Sequence, residues 1–229
     1  MSTDPLSNRL LANLPRSEYD LIRSQLTVGP FAQATVLAEA GDEIDQIYFP
    51  LTGMISLLII LRDGKAIETS TIGRDGVFGA AAAFGLYKSK VRAIVQVPIT
   101  AATISAPHLR RAAESSKAIQ LLCVRFNEVL LDQARITAAC NALHMIEARF
   151  CRWLLQTCEV SESTTVMLTQ EFLSEMLGVR RTSVTDVASK LQSAGIIGYS
   201  RGVIKILDRS GLRERACECF ETLQQQRAL

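Results

Sequence analysis

The chain has 229 residues, of which 48% are hydrophobic, and its 25 Lys and Arg nearly balance 23 Asp and Glu, for a net charge of +2. This length and hydrophobic content predict one large domain or two smaller ones, each with its own core, and exclude a disordered tail. The small net charge excludes a histone-like polybasic protein, although a protein that binds a defined DNA site needs only a local basic surface. The longest apolar run, residues 54–61, is far shorter than the ~20 residues that span a bilayer.

The N-terminal sequence and the positions of the cysteines predict an intracellular protein with reduced thiols. Residues 1–10 lack a basic stretch followed by an apolar run, so we expect no signal peptide and a cytoplasmic location. The six cysteines all lie in the second half, and we expect free thiols in their case. Cys217 and Cys219 have no second cysteine pair or histidine at zinc-site spacing, and residues two apart on one helix do not face each other. We therefore predict no metal site.

In the first half of the chain, a sequence pattern typical of helices is followed by one typical of short strands. Residues 6–26 predict two short helices, with Pro15 opening the second. Six short apolar or β-branched runs follow, separated by Gly, Asp and Pro: Thr35–Ala38, Gln46–Phe49, Met54–Leu61, Ala66–Ile72, Arg92–Val97 and Ala101–Ile104. Many short strands at this spacing predict a compact antiparallel barrel or jelly roll.

A long helical region, residues 107–158, carries a heptad pattern. The positions spaced alternately by three and four residues are Ile119, Leu122, Phe126, Val129, Gln133, Ile136, Cys140 and Leu143. Such a seam is typical of a parallel coiled-coil dimer, in which the lone polar Gln133 would fix the register. The alternative is a helix that packs this stripe onto the β-rich domain. We predict that the seam faces a partner chain and that Leu121, Leu130 and Leu131 face the β-rich domain.

Residues 168–206 contain the strongest functional pattern, after a polar linker at 161–165. Two amphipathic helices meet at Gly178, where glycine permits a sharp turn, and Ser200-Arg201-Gly202 then forms a tight hairpin. One face of the second helix is polar and carries Arg180, Arg181, Thr182, Ser183, Thr185 and Lys190. Such a helix can enter the DNA major groove, with Arg201 on a phosphate. The alternative is an ordinary helical hairpin with a solvated face.

The order of these parts resembles the cyclic-AMP receptor protein (Crp/Fnr) superfamily of bacterial transcription regulators. The resemblance is carried by LTQEFLSEMLGVRRTSVTDVASKLQSAGII and by Gly41-Asp42 with IDQIYFPLTGMIS. It implies an α+β fold with an N-terminal antiparallel β-roll at 1–115, a dimerisation helix and hinge at 116–160, and a winged helix-turn-helix at 161–229. It also implies a homodimer that binds a near-palindromic DNA site and contacts RNA polymerase.

The resemblance also suggests which residues contact DNA. The family's base-reading positions correspond to Arg181, Thr182 and Asp186, and only the first keeps the arginine of the best-known member. The operator should therefore differ from that member's. The predicted DNA-binding residues are Thr169, Arg180, Arg181, Thr182, Ser183, Thr185, Asp186, Lys190 and Arg201.

The effector cassette departs from that of cyclic-nucleotide binders in the family. These proteins grip the ribose with a glutamate and the cyclic phosphate with an arginine, where this chain has Ala80 and Ser89. Two charge-assisted contacts would be lost, so we predict an effector other than cyclic AMP. The predicted effector pocket comprises Gly79, Ala80, Ala81, Ser89 and Lys90. The family's iron–sulfur and haem sensors are not expected either, because the first cysteine is Cys123 and both histidines, His108 and His144, lie on or near helices.

Two other classes of function remain open. An enzyme is disfavoured because the sequence lacks a P-loop, a G-x-S-x-G elbow and an H-E-x-x-H motif, and we predict no catalytic residues. The chain could instead be a regulatory module that binds a ligand or a protein partner without DNA.

Overall fold

The computed structural model describes residues 3–227, and its elements follow the predicted order. The helices are α1 (Arg9–Ala12), α2 (Arg16–Arg23), α3 (Ala106–Ser115), α4 (Lys117–Leu143), α5 (Ile146–Ser161), α6 (Gln170–Leu177), α7 (Arg181–Ser193), α8 (Arg209–Arg215) and α9 (Cys219–Arg227). The strands are β1 (Thr27–Phe31), β2 (Val36–Ala38), β3 (Gln46–Pro50), β4 (Met54–Ile60), β5 (Ala66–Ile72), β6 (Arg92–Val97), β7 (Ile99–Ser105), β8 (Thr165–Met167), β9 (Ile197–Ser200) and β10 (Val203–Ile206). Short 3-10 turns occur at Pro5–Ser7 and Ala80–Phe84.

The N-terminal strands form two sheets, in the orders β1-β7-β3 and β2-β6-β4-β5. β7 pairs with β1 and β3 antiparallel, as β2 does with β6. All six predicted strands are present, and the bounds of each lie within two residues of the prediction. The predicted α+β fold, with an antiparallel β-roll, a long helix and a C-terminal helix-turn-helix, is confirmed.

Sequence reasoning missed two strands. β1 contains Gly29 and Pro30, which weaken a strand prediction, but it lies at a sheet edge where proline is tolerated. β8 overlaps the stretch that we predicted as a linker. It pairs antiparallel with β10, through Val166 and Ile204, and completes the three-stranded sheet β8-β10-β9.

The chain divides into two compact units. The first takes in the residues up to Leu57 together with Thr71–Leu131, and the second takes in Leu58–Ser70 and the residues from Asp132 onward. The hairpin tip between β4 and β5 thus belongs to the second unit. There Trp153 Nε1 donates a hydrogen bond of 2.8 Å to Glu68 Oε1, and both side chains are buried.

The heptad seam of α4 is covered mostly by its own chain and not, as predicted, by a partner chain. Ile119, Phe126 and Val129 are buried in the core of the first unit. Gln133 and Cys140 are buried in the second unit, whereas Leu143 is 79% exposed. Leu122 and Ile136 are half-buried. The seam is thus largely covered by its own chain, because the β-roll and the C-terminal helices supply the apolar surface that a partner helix would supply in a coiled coil.

The flanking leucines of α4 also differ from the prediction. Leu130 packs beside the core of the first unit, as expected. Leu121 and Leu131 are exposed, and so is Val124. We call these three exposed side chains the outer stripe of α4; they lie on the face opposite the buried seam.

The C-terminal helix predicted from Ser210 to Gln226 is two helices. α8 ends before Ala216, whose backbone is extended at φ −73° and ψ 152°, and α9 begins at Cys219. Cys217 therefore lies outside both helices. Within residues 3–227, no helix is long and apolar enough to cross a membrane, and all six cysteines are free thiols.

Candidate nucleic-acid interface

Helices α6 and α7 pack through the predicted apolar faces. Leu173, Met176 and Leu177 of α6 are buried, and Phe172 is half-buried. The buried residues of α7 are Val184, Val187, Ala188 and Leu191. Gly178 ends α6 at φ +62°, a conformation that glycine adopts without a Cβ penalty, so the turn between the helices has the predicted cause.

Both ends of α6 are fixed by hydrogen bonds. At its start, Thr169 Oγ1 accepts a hydrogen bond of 3.1 Å from the Phe172 backbone N–H. At its end, the buried Arg149 of α5 donates to the carbonyl oxygen of Leu177, which has no partner within the helix. The helix that precedes the polar face of α7 is therefore held firmly against α5.

The polar face of α7 is open to solvent. Arg180, Arg181, Thr182, Asp186 and Lys190 are exposed, whereas Ser183 and Thr185 are half-buried. Thr185 Oγ1 lies 2.9 Å from Gln170 Oε1 and 3.1 Å from the Arg181 carbonyl oxygen. Its single hydroxyl proton is thus used within the protein, where it orients Gln170.

The hairpin of β9 and β10 has a two-residue loop. Ser200 and Val203 are paired, and the residues between them, Arg201 and Gly202, have φ values of 50° and 75°. Positive φ at both positions defines the type I′ turn that suits a tight hairpin. Arg201 is exposed at its tip, as predicted. The Leu168 N–H donates a 2.6 Å hydrogen bond to the Gly202 carbonyl, which ties the hairpin to the start of α6.

A groove of about 490 Å³ connects these parts. It is lined by Thr169, Gln170, Glu171, Arg181, Tyr199, Ser200, Arg201 and Gly202. None of the described carboxylates forms an ion pair with Arg180, Arg181, Lys190 or Arg201. These cations are therefore available to an anionic ligand.

Five of the eight groove residues were not among the predicted contacts: Gln170, Glu171, Tyr199, Ser200 and Gly202. Thr185 orients Gln170 through a hydrogen bond. The only feature of the sequence that could have identified Gln170 as a groove residue is its position directly after the helix cap Thr169. The Tyr199 hydroxyl donates a 3.1 Å hydrogen bond to the Leu168 carbonyl. Burial raises the pKa of Tyr199, and the positive charge of Arg181, which lines the same groove, partly offsets this shift.

The predicted effector residues lie around the 3-10 turn that Gly79 begins at φ +88°. Ala80 is buried and Ala81 is half-buried. Ser89 is buried and Lys90 is exposed. The Ser89 hydroxyl donates a 2.7 Å hydrogen bond to the Val91 carbonyl, so its proton is already used. Apart from the exposed Lys90, these positions supply no charged group.

Two family models match the chain. The cyclic nucleotide-binding domain matches residues 29–116, and the Crp-like helix-turn-helix domain matches residues 148–215. These matches cover the β-roll and the groove-bearing domain in the order that defines the Crp/Fnr class. The chain belongs to the Crp/Fnr superfamily of transcription regulators.

Solved structures share the fold. A Crp/Fnr-family protein from Eubacterium rectale is 17% identical with a TM-score of 0.71, over 96% of this chain and 99% of that one. The c-di-GMP responsive global regulator CLP of Xanthomonas campestris is 15% identical with a TM-score of 0.69, over 84% and 99%. A CRP/FNR-family transcriptional regulator from Thermus thermophilus is 22% identical with a TM-score of 0.68, over 83% and 98%. A comparison with curated proteins found no match.

Proposed function

We propose that this chain is a homodimeric transcription regulator that binds a specific, near-palindromic DNA site. The observation that carries the proposal is the groove in which the start of α7 and the hairpin tip present Arg181 and Arg201 without carboxylate partners. Unpaired arginines on a protruding helix and a hairpin suit a duplex, whose grooves and phosphates are reached together.

The predicted DNA-binding residues, of which Thr169, Arg181 and Arg201 line the groove, divide into base-reading and phosphate-binding groups. Arg181, exposed in the first turn of α7, is the candidate for a bidentate contact with guanine. Arg201 at the hairpin tip, Lys190 and the hydroxyl of Thr169 suit the phosphates. Asp186 suits a cytosine amino group. Arg180, Thr182 and Ser183 complete the set, whereas Thr185 positions Gln170 from within the protein.

The proposed dimer uses the outer stripe of α4 rather than the buried seam. Leu121, Val124 and Leu131 are 43%, 53% and 44% exposed, and they are spaced by three and seven residues. A helix face with this spacing pairs with its own copy in coiled coils. In this proposal residues 1–115 sense the effector, 116–160 form the dimerisation helix and hinge, and 161–229 bind DNA and contact RNA polymerase.

Selection from a pool of random duplexes tests the function. We expect the wild-type protein to enrich a two-fold symmetric sequence with half-sites about one helical turn apart. The variant Arg181→Ala/Arg201→Ala is the comparison; it should enrich the site more weakly and without preference at the base pair that Arg181 reads. The rival function, a module that binds only a protein partner or a ligand, requires that the wild-type protein show no salt-dependent binding to any duplex.

We further propose that the effector of the β-roll is not cyclic AMP. Ala80 stands where a ribose-binding glutamate is needed, and the Ser89 hydroxyl donates to backbone rather than facing a ligand. We therefore expect saturating cyclic AMP to leave the melting temperature unchanged, with 5′-AMP as the control ligand. A ligand at 100 times its Kd would stabilise the protein by about 2.7 kcal/mol. A rise of several degrees with cyclic AMP alone would contradict this proposal.

A further inference from the structure

Four side chains with metal-ligating atoms converge in the second unit. The donor atoms of Cys140, His144, Cys217 and Cys219 all lie within 4.8 Å of one another. Cys140 Sγ is 3.5 Å from Cys217 Sγ, and Cys219 Sγ is 3.7 Å from His144 Nδ1. All three cysteines are buried. Neither the DNA-binding groove nor the effector region uses this cluster.

The fold assembles the cluster from two distant parts of the chain. Cys140 lies in the last turn of α4, and His144 lies in the link between α4 and α5. Cys217 precedes α9, and Cys219 is its first residue. The prediction that Cys217 and Cys219 share a helix and point apart was wrong, because the chain is extended between α8 and α9 and lets both thiols face one point.

We propose that these four residues bind a single Zn²⁺ ion. Three cysteines and one histidine are a common ligand set of structural zinc. Tetrahedral coordination with Zn–S bonds of about 2.3 Å and Zn–N bonds of about 2.0 Å places two sulfurs about 3.8 Å apart and a sulfur and a nitrogen about 3.5 Å apart. The observed separations of 3.5 Å between the two sulfurs and 3.7 Å between sulfur and nitrogen are close to these values. An iron–sulfur cluster contains several metal atoms and would need wider spacing between its ligands.

The ring of His144 is already oriented to bind a metal ion through Nδ1. Its Nε2 lies 3.2 Å from Glu218 Oε1, so the ring donates there and leaves Nδ1 facing the thiols. A ligating histidine usually donates its other N–H to a carboxylate, which fixes the tautomer and the ring plane. Glu218 lies between the two ligating cysteines in sequence, so one short segment supplies two thiols and the carboxylate that orients the histidine.

Two buried arginines beside the cluster have no carboxylate partner among residues 3–227. Arg149 and Arg152 are both buried and interact electrostatically with the Cys140 thiol. In the described part of the chain, they hydrogen-bond only to neutral acceptors, the Leu177 carbonyl and Gln156 Oε1, and both Nε atoms are unpartnered. A zinc ion with three thiolates and one histidine has a net charge of −1, which would compensate buried positive charge. The ion would also join the end of α4 to the segment that leads into α9.

Metal analysis of the purified, reduced full-length protein tests the site. We expect about one zinc ion per chain in the wild type. The double variant Cys217→Ser/Cys219→Ser should lose it. The matched control is Cys151→Ser/Cys158→Ser, which changes two buried thiols of α5 outside the cluster. Burial raises the pKa of Cys151 to about 12 and that of Cys158 to about 11, so these thiols stay protonated, and this variant should keep its zinc.

A second measurement uses the wild type alone, in case a variant fails to fold. Protein stripped of metal and loaded with Co²⁺ should show the intense visible bands of tetrahedral cobalt together with thiolate-to-cobalt charge transfer, and adding Zn²⁺ should abolish both. Wild-type protein without zinc, zinc retained by the Cys217/Cys219 variant, or iron in place of zinc would each overturn the proposal. A Cys140–Cys217 disulfide that persists under reducing conditions would do so as well.

Discussion

Replacing Val124 and Leu131 with glutamate is expected to convert the protein from a dimer to a monomer and to weaken binding to a selected operator at least about 100-fold. The two side chains are 53% and 44% exposed, so the folded chain can accept the charges at little cost. In a dimer the four carboxylates would face each other across a desolvated interface, where like charges are strongly unfavourable. Each monomer would then bind a single half-site and lose the gain from simultaneous binding of two.

The matched control for the α4 variant is Leu86→Glu, which also places a charge at an exposed leucine of the first unit, outside α4. It should elute and bind DNA as the wild type does. A Val124→Glu/Leu131→Glu protein that still elutes as a dimer from a sizing column would refute the proposed interface. Phe126→Glu is unsuitable for this purpose, because Phe126 is buried in the β-roll core and the charge would unfold the first unit.

Arg181→Ala is expected to remove discrimination at one base pair of each half-site. A bidentate contact between arginine and guanine contributes about 1–3 kcal/mol, so preference for the matching base should fall about 5- to 150-fold. Binding to operators that already lack this base should change little. The measurement is a set of binding isotherms on the selected site and on its single-base variants.

Arg201→Ala is the comparison for the base-reading variant. At the hairpin tip, Arg201 is positioned for a phosphate, so its loss should weaken binding to all sequences alike. The plot of log binding constant against log salt concentration should also become less steep, by about one unit of slope. Equal losses from Arg181→Ala across matched and mismatched sites would show that both arginines contact only the backbone. That outcome would leave the DNA-binding groove in place but move base reading to other residues of α7.

Most local elements could be predicted because their causes are local. Alternating or apolar runs bounded by Gly, Asp and Pro marked β2 to β7, and the spacing of Val184, Val187 and Leu191 marked the buried face of α7. The hairpin at Arg201-Gly202 and the turn at Gly178 follow from backbone conformations that glycine favours. Each of these features depends on a few neighbouring residues, and so did the prediction that one face of α7 is polar.

Where a pattern required a distant partner, the sequence left alternatives that only the folded chain resolved. The spacing of Ile119, Phe126 and Val129 shows that they share one face of α4. It cannot show whether a second helix or the β-roll covers that face, because either surface is apolar, and here the β-roll does. Cys140 and Cys217 are 77 residues apart, and their convergence depends on the break between α8 and α9. Periodicity determines which residues face the same way, whereas the packing of whole elements determines what they meet.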